Sequence, residues 1–237
     1  MIRSVTLALL MFSVAACGGD SRVGSPASPS VAEPTYDIVG RGIPQFVSQR
    51  HIALVNIDRI SRFRSAVGHS YTDSAEQCRS MKHYFTPKGT TNPATLLIYS
   101  PVDGTVRAFD PESSGFGFQL NIQPTVQPAF RVIIFHVIPT IPIAAGTNVS
   151  VGQLLGSHYG LQTDSDVAVG VNTPQGYRLV SWFDVVTDTL FQEYRAAGVV
   201  ARDDMIISRA ARDADPLTCN GETFTTTGTL ASWVALR

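Results

Sequence analysis

The sequence carries little charge and has no block of basic residues. It has 18 Lys and Arg residues against 19 Asp and Glu residues, which gives a formal net charge of -1 at pH 7. Proteins that bind nucleic acid need clustered Lys and Arg to neutralise phosphates, so we do not expect nucleic acid as a partner. The sequence also has no P-loop, no G-x-S-x-G motif and no C-x-x-C motif. It therefore gives no sign of the enzyme classes that these motifs identify.

Lysine is also scarce, and no Lys follows Lys88. This matters for residues 152–156 (Gly-Gln-Leu-Leu-Gly), a glycine-bounded strand turn of a type also found in biotinyl- and lipoyl-type carrier domains. Those carriers need an exposed Lys in a hairpin. The absence of a Lys beyond position 88 therefore argues against carrier function.

Long apolar runs are missing except near the N-terminus. Residues 5–14 form an apolar run after the basic residue Arg3, and this run is too short to cross a bilayer as a helix. Because two alanines stand directly before Cys17, the segment resembles a bacterial lipoprotein signal. The resemblance implies that residues 1–16 are a signal peptide, and that the lipidated Cys17 anchors the chain in the bacterial cell envelope, at the outer membrane or on a membrane face turned to the periplasm or the cell surface. The alternative is an ordinary secretory signal in which Cys17 has no role.

Large apolar side chains are nearly absent from residues 17–35, where Gly, Ser, Pro and Ala dominate. Such a composition cannot offset the entropy of ordering, so we predict a flexible stalk over 17–35. Beyond it, Cys78 and Cys219 form an even pair, which we expect to be joined as a disulfide in an oxidising compartment. Alternatively, both are buried free thiols.

Short runs rich in Val, Ile and Phe alternate with Pro, Gly, Ser and Asp clusters from residue 94 onward. This spacing predicts an antiparallel, mainly β core. The predicted strands cover 94–99, 104–109, 117–122, 130–137, 166–171 and 177–180. Helical spacing of apolar residues then predicts a helix over 181–197, with Ser181 as its N-cap and Gly198 after its end. We therefore expect a β domain over 36–180 and a helical or mixed C-terminal extension over 181–237.

Five sequence elements follow one another in an informative order. His69-x-x-x-Asp73 is followed by 100–106 (Ser-Pro-Val-Asp-Gly-Thr-Val), by His136 after a strand, by 151–156 (Val-Gly-Gln-Leu-Leu-Gly) and by Asp164-Ser-Asp166. In this order they resemble the lysostaphin/LytM-type (M23) zinc endopeptidases of bacterial cell walls, over roughly half of the chain. The resemblance implies an M23-like antiparallel β-sandwich built on a duplicated hybrid motif. Where the family ends its pattern with H-x-H, this sequence has two aspartates.

The resemblance also implies roles for these residues. The family pattern places a divalent metal ion, zinc by analogy, on His69, Asp73 and Asp166, and gives catalytic roles to His136 and Asp164. An added carboxylate would make the metal a poorer Lewis acid, and its hard oxygen donor would also shift the preference of the site toward harder cations such as Mn²⁺ or Ca²⁺. Alternatively, the two aspartates lie at a solvated strand start and bind nothing, and His136 is held by a backbone carbonyl at a sheet edge.

Other charged residues flank the His-x-x-x-Asp motif. Arg64, just before it, could bind an anionic group of a substrate or could pair with a nearby carboxylate. The insert after the motif contains Glu76 and His83, either of which could replace a missing ligand. The alternative for the insert is a loop held by Cys78, with its aromatic residues packed on the sheet.

Three functions agree with these features. The first is an envelope-anchored lipoprotein with a degenerate M23-like domain that binds peptidoglycan or an envelope protein without efficient hydrolysis. The second is an active metallo-endopeptidase with an altered His/Asp/Asp site, and the third is a structural envelope lipoprotein. Measurements of metal content and of binding to cell walls distinguish the three.

Overall fold

The computed structural model of the protein describes residues 32–112, 115–160 and 163–237. The signal peptide expected over 1–16, the lipidated Cys17 and all of the expected stalk before residue 32 lie outside the described residues. Across the described ranges, no helix has the length and apolar character needed to cross a lipid bilayer.

The first described residues are fixed to the sheet by ion pairs. The Glu33 carboxylate lies 3.1 Å from Arg107 Nη2 and 2.6 Å from Arg131 Nη2. Shortly after it, the Tyr36 N–H donates to the Asn172 carbonyl oxygen at 2.8 Å. The chain is therefore in contact with the β core from residue 33 onward.

Strands outnumber helices in the described residues, and the helices are short. The α-helices are α1 (Ile38–Arg41), α2 (Trp182–Val185), α3 (Asp188–Ala196) and α4 (Arg209–Ala214). The strands are β1 (Ile57–Ser61), β2 (His83–Pro87), β3 (Leu97–Tyr99), β4 (Gly104–Pro111), β5 (Phe118–Pro124), β6 (Phe130–Pro139), β7 (Asn148–Val149), β8 (Leu154–His158), β9 (Ser165–Thr173), β10 (Gly176–Val180), β11 (Cys219–Asn220), β12 (Thr223–Phe224) and β13 (Trp233–Ala235).

An antiparallel sheet of 11 strands dominates the described part of the chain. Its order is β13-β1-β2-β9-β6-β5-β4-β7, while β10 pairs with β9, and β8 pairs with both β3 and β6. β11 and β12 form a separate hairpin. The middle strands β2, β9 and β6 are direct neighbours, and residues on or beside them form the site described below.

The central strands are buried on both faces of the sheet. Because successive side chains of a strand point to opposite faces, Val167 and Val169 of β9 pack into the main core while Ala168 packs with Phe135 on the other face. Burying each such Val side chain stabilises the fold by about 1.5–3 kcal/mol. A polar residue on this second face, such as Asp166, is consequently removed from water and needs a partner within the protein.

The predicted mainly β core is confirmed. The strands predicted at 104–109, 117–122, 130–137, 166–171 and 177–180 correspond to β4, β5, β6, β9 and β10. In the run predicted as a strand over 94–99, only Leu97–Tyr99 is strand, because Pro93–Thr95 forms a 3₁₀ turn.

The single helix predicted over 181–197 is wrong, because the structure has two helices there. Ser181 is the N-cap of the first, α2, where it forms a capping box. Val186 then leaves the helix with extended backbone, at φ -66° and ψ 139°, and forms a β-bridge with Val47. The hydroxyl of Thr187 caps the second helix, α3. The β-bridge to Val47 therefore interrupts the helix, although the helical spacing of apolar residues continues through 181–197 in the sequence.

The C-terminal segment shares the core of the β domain. Trp182, Phe183 and Tyr194 are fully buried and belong to the same hydrophobic cluster as the central strands. β13 extends the sheet by pairing with β1, where Val234 faces Ile60. The residues of the expected helical or mixed C-terminal extension thus also form one edge of the sheet.

The predicted disulfide between Cys78 and Cys219 is confirmed. The two Cα atoms lie 5.7 Å apart although the residues are 141 positions apart in sequence. The bond joins the β11–β12 hairpin to the loop before β2. The Ser70 N–H of that loop donates to the Glu222 carbonyl oxygen in the hairpin at 2.7 Å, so the crosslink and the backbone hold the same two segments together.

We expect the disulfide to be a major contributor to stability. Closing so long a loop restricts the unfolded chain, so the double variant Cys78→Ser/Cys219→Ser should lose about 2–5 kcal/mol of unfolding free energy. Urea denaturation of the parent and the variant measures this difference. Added reductant should lower the stability of the parent and leave the double variant unchanged; equal stability of the two proteins would contradict the expectation.

Candidate functional site

A cavity of about 680 Å³ opens on the second face of the sheet. Its charged lining comes from five parts of the chain: the loop before β2, the β4–β5 hairpin, β6, β9 with the residue directly before it, and the β11–β12 hairpin. Among the charged and imidazole side chains of the lining are Lys82, Asp166, His136, Glu112, His69 and Glu222. Aromatic walls are provided by Tyr71, Tyr84, Phe116 and Phe135.

The ammonium group of Lys82 lies at the centre of this arrangement. The Lys82 side chain is only 2% exposed, and Nζ lies 2.6 Å from Asp166 Oδ2 and 3.2 Å from His69 Nε2. Nζ also lies 3.9 Å from the centroid of the Phe135 ring. A buried ammonium is tolerated because it has an opposite charge, a second hydrogen-bond acceptor and an aromatic face around it.

Asp166 is positioned by the pairing of β2 with β9, in which it stands opposite Tyr84. Its side chain is fully buried between two cations, with Lys82 at Oδ2 and His136 Nε2 at 3.1 Å from Oδ1. Burial alone would raise the pKa of Asp166, but the charge and hydrogen bond of Lys82 and the nearby charge of His136 outweigh it and lower this pKa to about 2. The same pairing raises the pKa of Lys82 against the effect of its burial. Both groups are therefore ionised at neutral pH.

His136 stands on an irregularity of β6 that turns its side chain toward the cavity. Between the pairs Leu120↔Ile134 and Phe118↔Val137, β6 has one residue more than β5. His136 lies in this bulge with a φ of 61°, a left-handed conformation that is costly for a residue other than glycine.

Glu112 holds His136 in this conformation through two contacts. Its Oε1 accepts the backbone N–H of His136 at 2.7 Å, and its Oε2 lies 2.8 Å from His136 Nδ1. Burial alone would lower the pKa of His136, but Asp166 and Glu112 outweigh it and raise this pKa to about 10. His136 is consequently an imidazolium at neutral pH and has no lone pair with which to act as a base.

His69 has the opposite protonation behaviour. Burial and the nearby Lys82 lower its pKa, so the ring is neutral at pH 7. Its Nδ1 lies 3.1 Å from the Ser70 carbonyl oxygen and 3.2 Å from Glu222 Oε2, and both are acceptors. Nδ1 must therefore carry the proton, and Nε2 accepts the hydrogen bond from Lys82.

The four central ionised groups alternate in sign along a line of contacts. The order is Glu112, His136, Asp166 and Lys82, in which every carboxylate has a cation beside it. Their charges of -1, +1, -1 and +1 sum to zero. The floor of the cavity is thus polar and internally neutralised, which is a low-energy way to keep four charges out of water.

Four of the residues singled out in the sequence lie on this one cavity. They are His69, His136, Asp164 and Asp166. The carboxylate of Asp164 accepts a hydrogen bond from Thr86 Oγ1 at 3.1 Å, and burial raises its pKa. Asp166 is buried, in contrast to the alternative that placed both aspartates at a solvated strand start.

The side chains of Asp73 and Arg64 bind other parts of the protein and not the cavity. Asp73 accepts backbone hydrogen bonds from Ala75 N at 2.7 Å and from Leu179 N at 2.9 Å, which joins its loop to β10. Arg64 makes a two-point pair with Glu76, with Nε to Oε2 and Nη2 to Oε1 both at 2.8 Å. Neither residue lines the cavity.

His83 is likewise absent from the lining. Its ring is fully engaged inside the protein, 2.8 Å from both the Ser61 carbonyl oxygen and Ser181 Oγ. Burial lowers the pKa of His83 to about 4. A neutral, doubly hydrogen-bonded histidine at this position serves the packing of the core.

Sequence reasoning missed Lys82, Glu112 and Glu222. For Lys82 a signal exists, since it is a lone charged residue at the start of the apolar run that forms β2. For Glu112 there is no local signal, because its contact with His136 spans 24 positions and depends on the β6 bulge. Glu222 reaches the cavity through the hairpin that the disulfide holds.

The donor set does not fit the metal ion that the resemblance implies. A zinc site needs at least three side-chain donors directed at one point, and here the Lys82 ammonium fills the space between Asp166 and His69 while Asp73 faces away. Within 32–112, 115–160 and 163–237, no three His, Cys, Asp or Glu side chains are grouped so that they could hold a metal ion. The positive charge between Asp166 and His69 is supplied by the Lys82 side chain.

The raised pKa of His136 makes stability depend on pH on the alkaline side. Its stabilisation is complete below the ordinary pKa of 6.5 and is lost as pH rises toward about 10. We expect the unfolding free energy to fall by on the order of 2 kcal/mol between about pH 6.5 and pH 9.5. Chemical denaturation at several pH values measures this slope.

The variant His136→Gln is the control for that slope and should flatten it. Tyr71 and Tyr84 do not interfere, because burial raises their pKa values above 10.0 and their effects appear at higher pH. An identical slope in the parent and the variant would show that His136 is not the responsible group.

Removing the charge of Glu112 should lower the pKa of His136. In Glu112→Gln the side-chain oxygen can still accept the His136 backbone N–H, but the carboxylate beside Nδ1 is lost. We expect the pKa of His136 to fall by about one unit, and NMR titration of the imidazole measures this change. The variant Glu222→Gln removes a carboxylate beside His69 instead, and it should leave the pKa of His136 unchanged.

No protein-family model matches this chain, and no curated protein matches it. The arrangement of side chains around Lys82 is therefore the basis on which a function is assigned.

Proposed function

We propose that the protein is an envelope-anchored lipoprotein whose M23-like β domain binds peptidoglycan in the central cavity without hydrolysing it efficiently. The observation that carries the proposal is the ammonium of Lys82 held between Asp166 and His69. The N-terminal signal and the order of the family motifs supply the envelope location and the class of ligand.

The engagement of both imidazoles of the cavity supports binding rather than hydrolysis. Cutting an amide requires a base or a metal-activated water beside the scissile bond. His136 is protonated by its pairing with Asp166 and Glu112, and the free lone pair of His69 is directed at Lys82. Neither imidazole of the cavity is thus available to remove a proton from water.

The size and lining of the cavity support a small organic ligand. Ligand sites typically enclose about 300–1,000 Å³, with apolar walls and a few fixed polar groups. The present cavity of about 680 Å³ has aromatic walls that include Phe116 and Tyr71, and its polar floor is held rigid by ion pairs. A short peptide or a sugar fragment of the cell wall matches this combination.

Phe116 offers a direct test of binding in the cavity. The full chain, purified in detergent, should co-sediment with purified sacculi, and Phe116→Ala should weaken binding about 3–10-fold because one aromatic wall is lost. Phe109 lies on the same β4–β5 hairpin, stacks on Phe118 and does not line the cavity. Phe109→Ala therefore controls for damage to the hairpin and should bind within about twofold of the parent.

Two results would contradict the proposal. One is a parent protein that does not bind sacculi at low salt, and the other is an equal loss of binding in both Phe variants. Release of soluble fragments from sacculi by the parent would contradict the non-hydrolytic part alone.

A further inference from the structure

We infer that Lys82 and Asp166 are the two ends of an intramolecular isopeptide bond, which the folded chain forms by itself with loss of one water molecule. The bond joins the segment before β2 to β9 across 84 positions of sequence. The ion pair of the two residues, and the effect of the Asp166 charge on His136, belong to the site before the bond is made. The inference does not depend on which ligand the cavity binds.

Strand pairing brings the two reacting groups to the same face of the sheet. Asp166 stands opposite Tyr84 in the β2–β9 pair, and Lys82 lies two residues before Tyr84. Because side chains two residues apart point to the same face, the long Lys82 side chain reaches diagonally to Asp166. Nζ and Oδ2 lie 2.6 Å apart. Since Cγ is bonded to Oδ2, only a small shift brings Nζ to the distance of about 3–3.5 Å from Cγ at which attack can begin.

Water is excluded from both groups. The Lys82 side chain is 2% exposed and that of Asp166 is 0% exposed. The ring centroids of Phe135 and Tyr71 lie 3.9 Å and 4.9 Å from Nζ. Burial by itself lowers the pKa of Lys82 and raises that of Asp166, and the attraction of neighbouring opposite charges reverses both effects. A proton that passes from Nζ to Oδ2 therefore gives a neutral amine and a neutral acid, the forms that apolar surroundings favour.

An imidazole stands at each end of the pair. At the amine end, the unprotonated Nε2 of His69 lies 3.2 Å from Lys82 Nζ, where it can take a proton from the nitrogen. At the acid end, Nε2 of His136 lies 3.1 Å from Asp166 Oδ1. This nitrogen carries a proton, so it stabilises the negative charge that develops on Oδ1 during the attack.

The atoms and protons of the reaction balance within the site. Nζ first passes one proton to Oδ2, and its lone pair then attacks Cγ to form the new C–N bond. His69 removes a second proton from the nitrogen. It returns that proton to Oδ2 as the Cγ–Oδ2 bond breaks, and Oδ2 leaves as water. The amide keeps Oδ1, both imidazoles regain their starting forms, and no oxidant or further reactant is needed.

The alignment of the two groups in the fold is what makes the reaction favourable. Well-oriented groups within one molecule reach effective molarities of about 10⁵–10⁸ M, which offsets the preference of free amines and acids in water to remain separate. The bond removes one positive and one negative charge. The cavity floor therefore stays neutral, with Glu112 and His136 as the remaining ion pair.

Peptide mapping of the full chain, purified in detergent and then unfolded and reduced, tests the inference. Lys82 and Lys88 are the two lysines of the sequence, and the bond removes the trypsin cleavage site at Lys82. We expect residues 80–88 as one branched peptide joined to residues 132–178, lighter by one water molecule than the sum of the two. Fragmentation should place the link between Lys82 and Asp166. Release of 83–88 and 132–178 as separate peptides from the parent would overturn the inference.

Two matched variants identify the reacting amine. Lys82→Arg keeps a positive charge beside Asp166, but its guanidinium stays protonated and cannot attack, so it should give no branched peptide. Lys88→Arg removes the other lysine and should give the branched peptide in the yield of the parent. A branched peptide from Lys82→Arg, or its loss in Lys88→Arg, contradicts the assignment.

The variant His69→Gln tests the transfer of protons at the amine end. Its side-chain oxygen can still accept a hydrogen bond from Lys82, but it cannot take and return a proton. We expect the bond to form about 10²–10⁴ times more slowly, as measured by the fraction of branched peptide at intervals after synthesis. An equal rate in the parent and the variant overturns the role assigned to His69. None of these readouts involves sacculi, so this inference and the proposed function fail independently.

Discussion

The contact between Lys82 and Asp166 is the constraint on which the centre of this molecule depends. Asp166 is fully buried on a strand whose Val167, Ala168 and Val169 pack in hydrophobic clusters, and a carboxylate left alone there would cost several kcal/mol. Its two counter-ions come from the start of β2 and from β6, the strands on either side of β9. The ion pairs that hold β9 to its neighbouring strands therefore also form the floor of the cavity, so the same charges stabilise the fold and line the site.

The bulge at His136 shows how the sheet obtains the second of these counter-ions. In a regular strand, the side chain of residue 136 would point to the same face of the sheet as that of Ile134. The extra residue instead lets β6 pair with β9 up to Ile134 and with β8 from Val137. The left-handed backbone of His136 costs about 1–3 kcal/mol. Glu112 offsets that cost by binding both the backbone and the ring of His136. The strained backbone of His136 thus places the imidazolium charge beside Asp166.

Local patterns predicted the mainly β class and most of the strands, and they predicted the site only in part. The short apolar run of β9 and the capping hydroxyl of Ser181 are properties of a few adjacent residues, so the sequence reveals them directly. The neighbours of Asp166 are not of this kind, because Lys82 lies 84 positions away and meets it only through strand pairing. Asp73 shows the reverse case. It is close to His69 in sequence, but its carboxylate is satisfied by backbone N–H groups and never reaches the cavity.

The crosslink between Cys78 and Cys219 has a consequence for when the site becomes complete. The hairpin that it secures carries Glu222, whose carboxylate lies beside the ring of His69 at the rim of the cavity. A newly made chain with both thiols still reduced lacks this tether, and the hydrogen bond from the Ser70 N–H to the Glu222 carbonyl oxygen then joins the two segments without a crosslink. Full restraint of the rim is thereby tied to the redox conditions that the chain meets after synthesis.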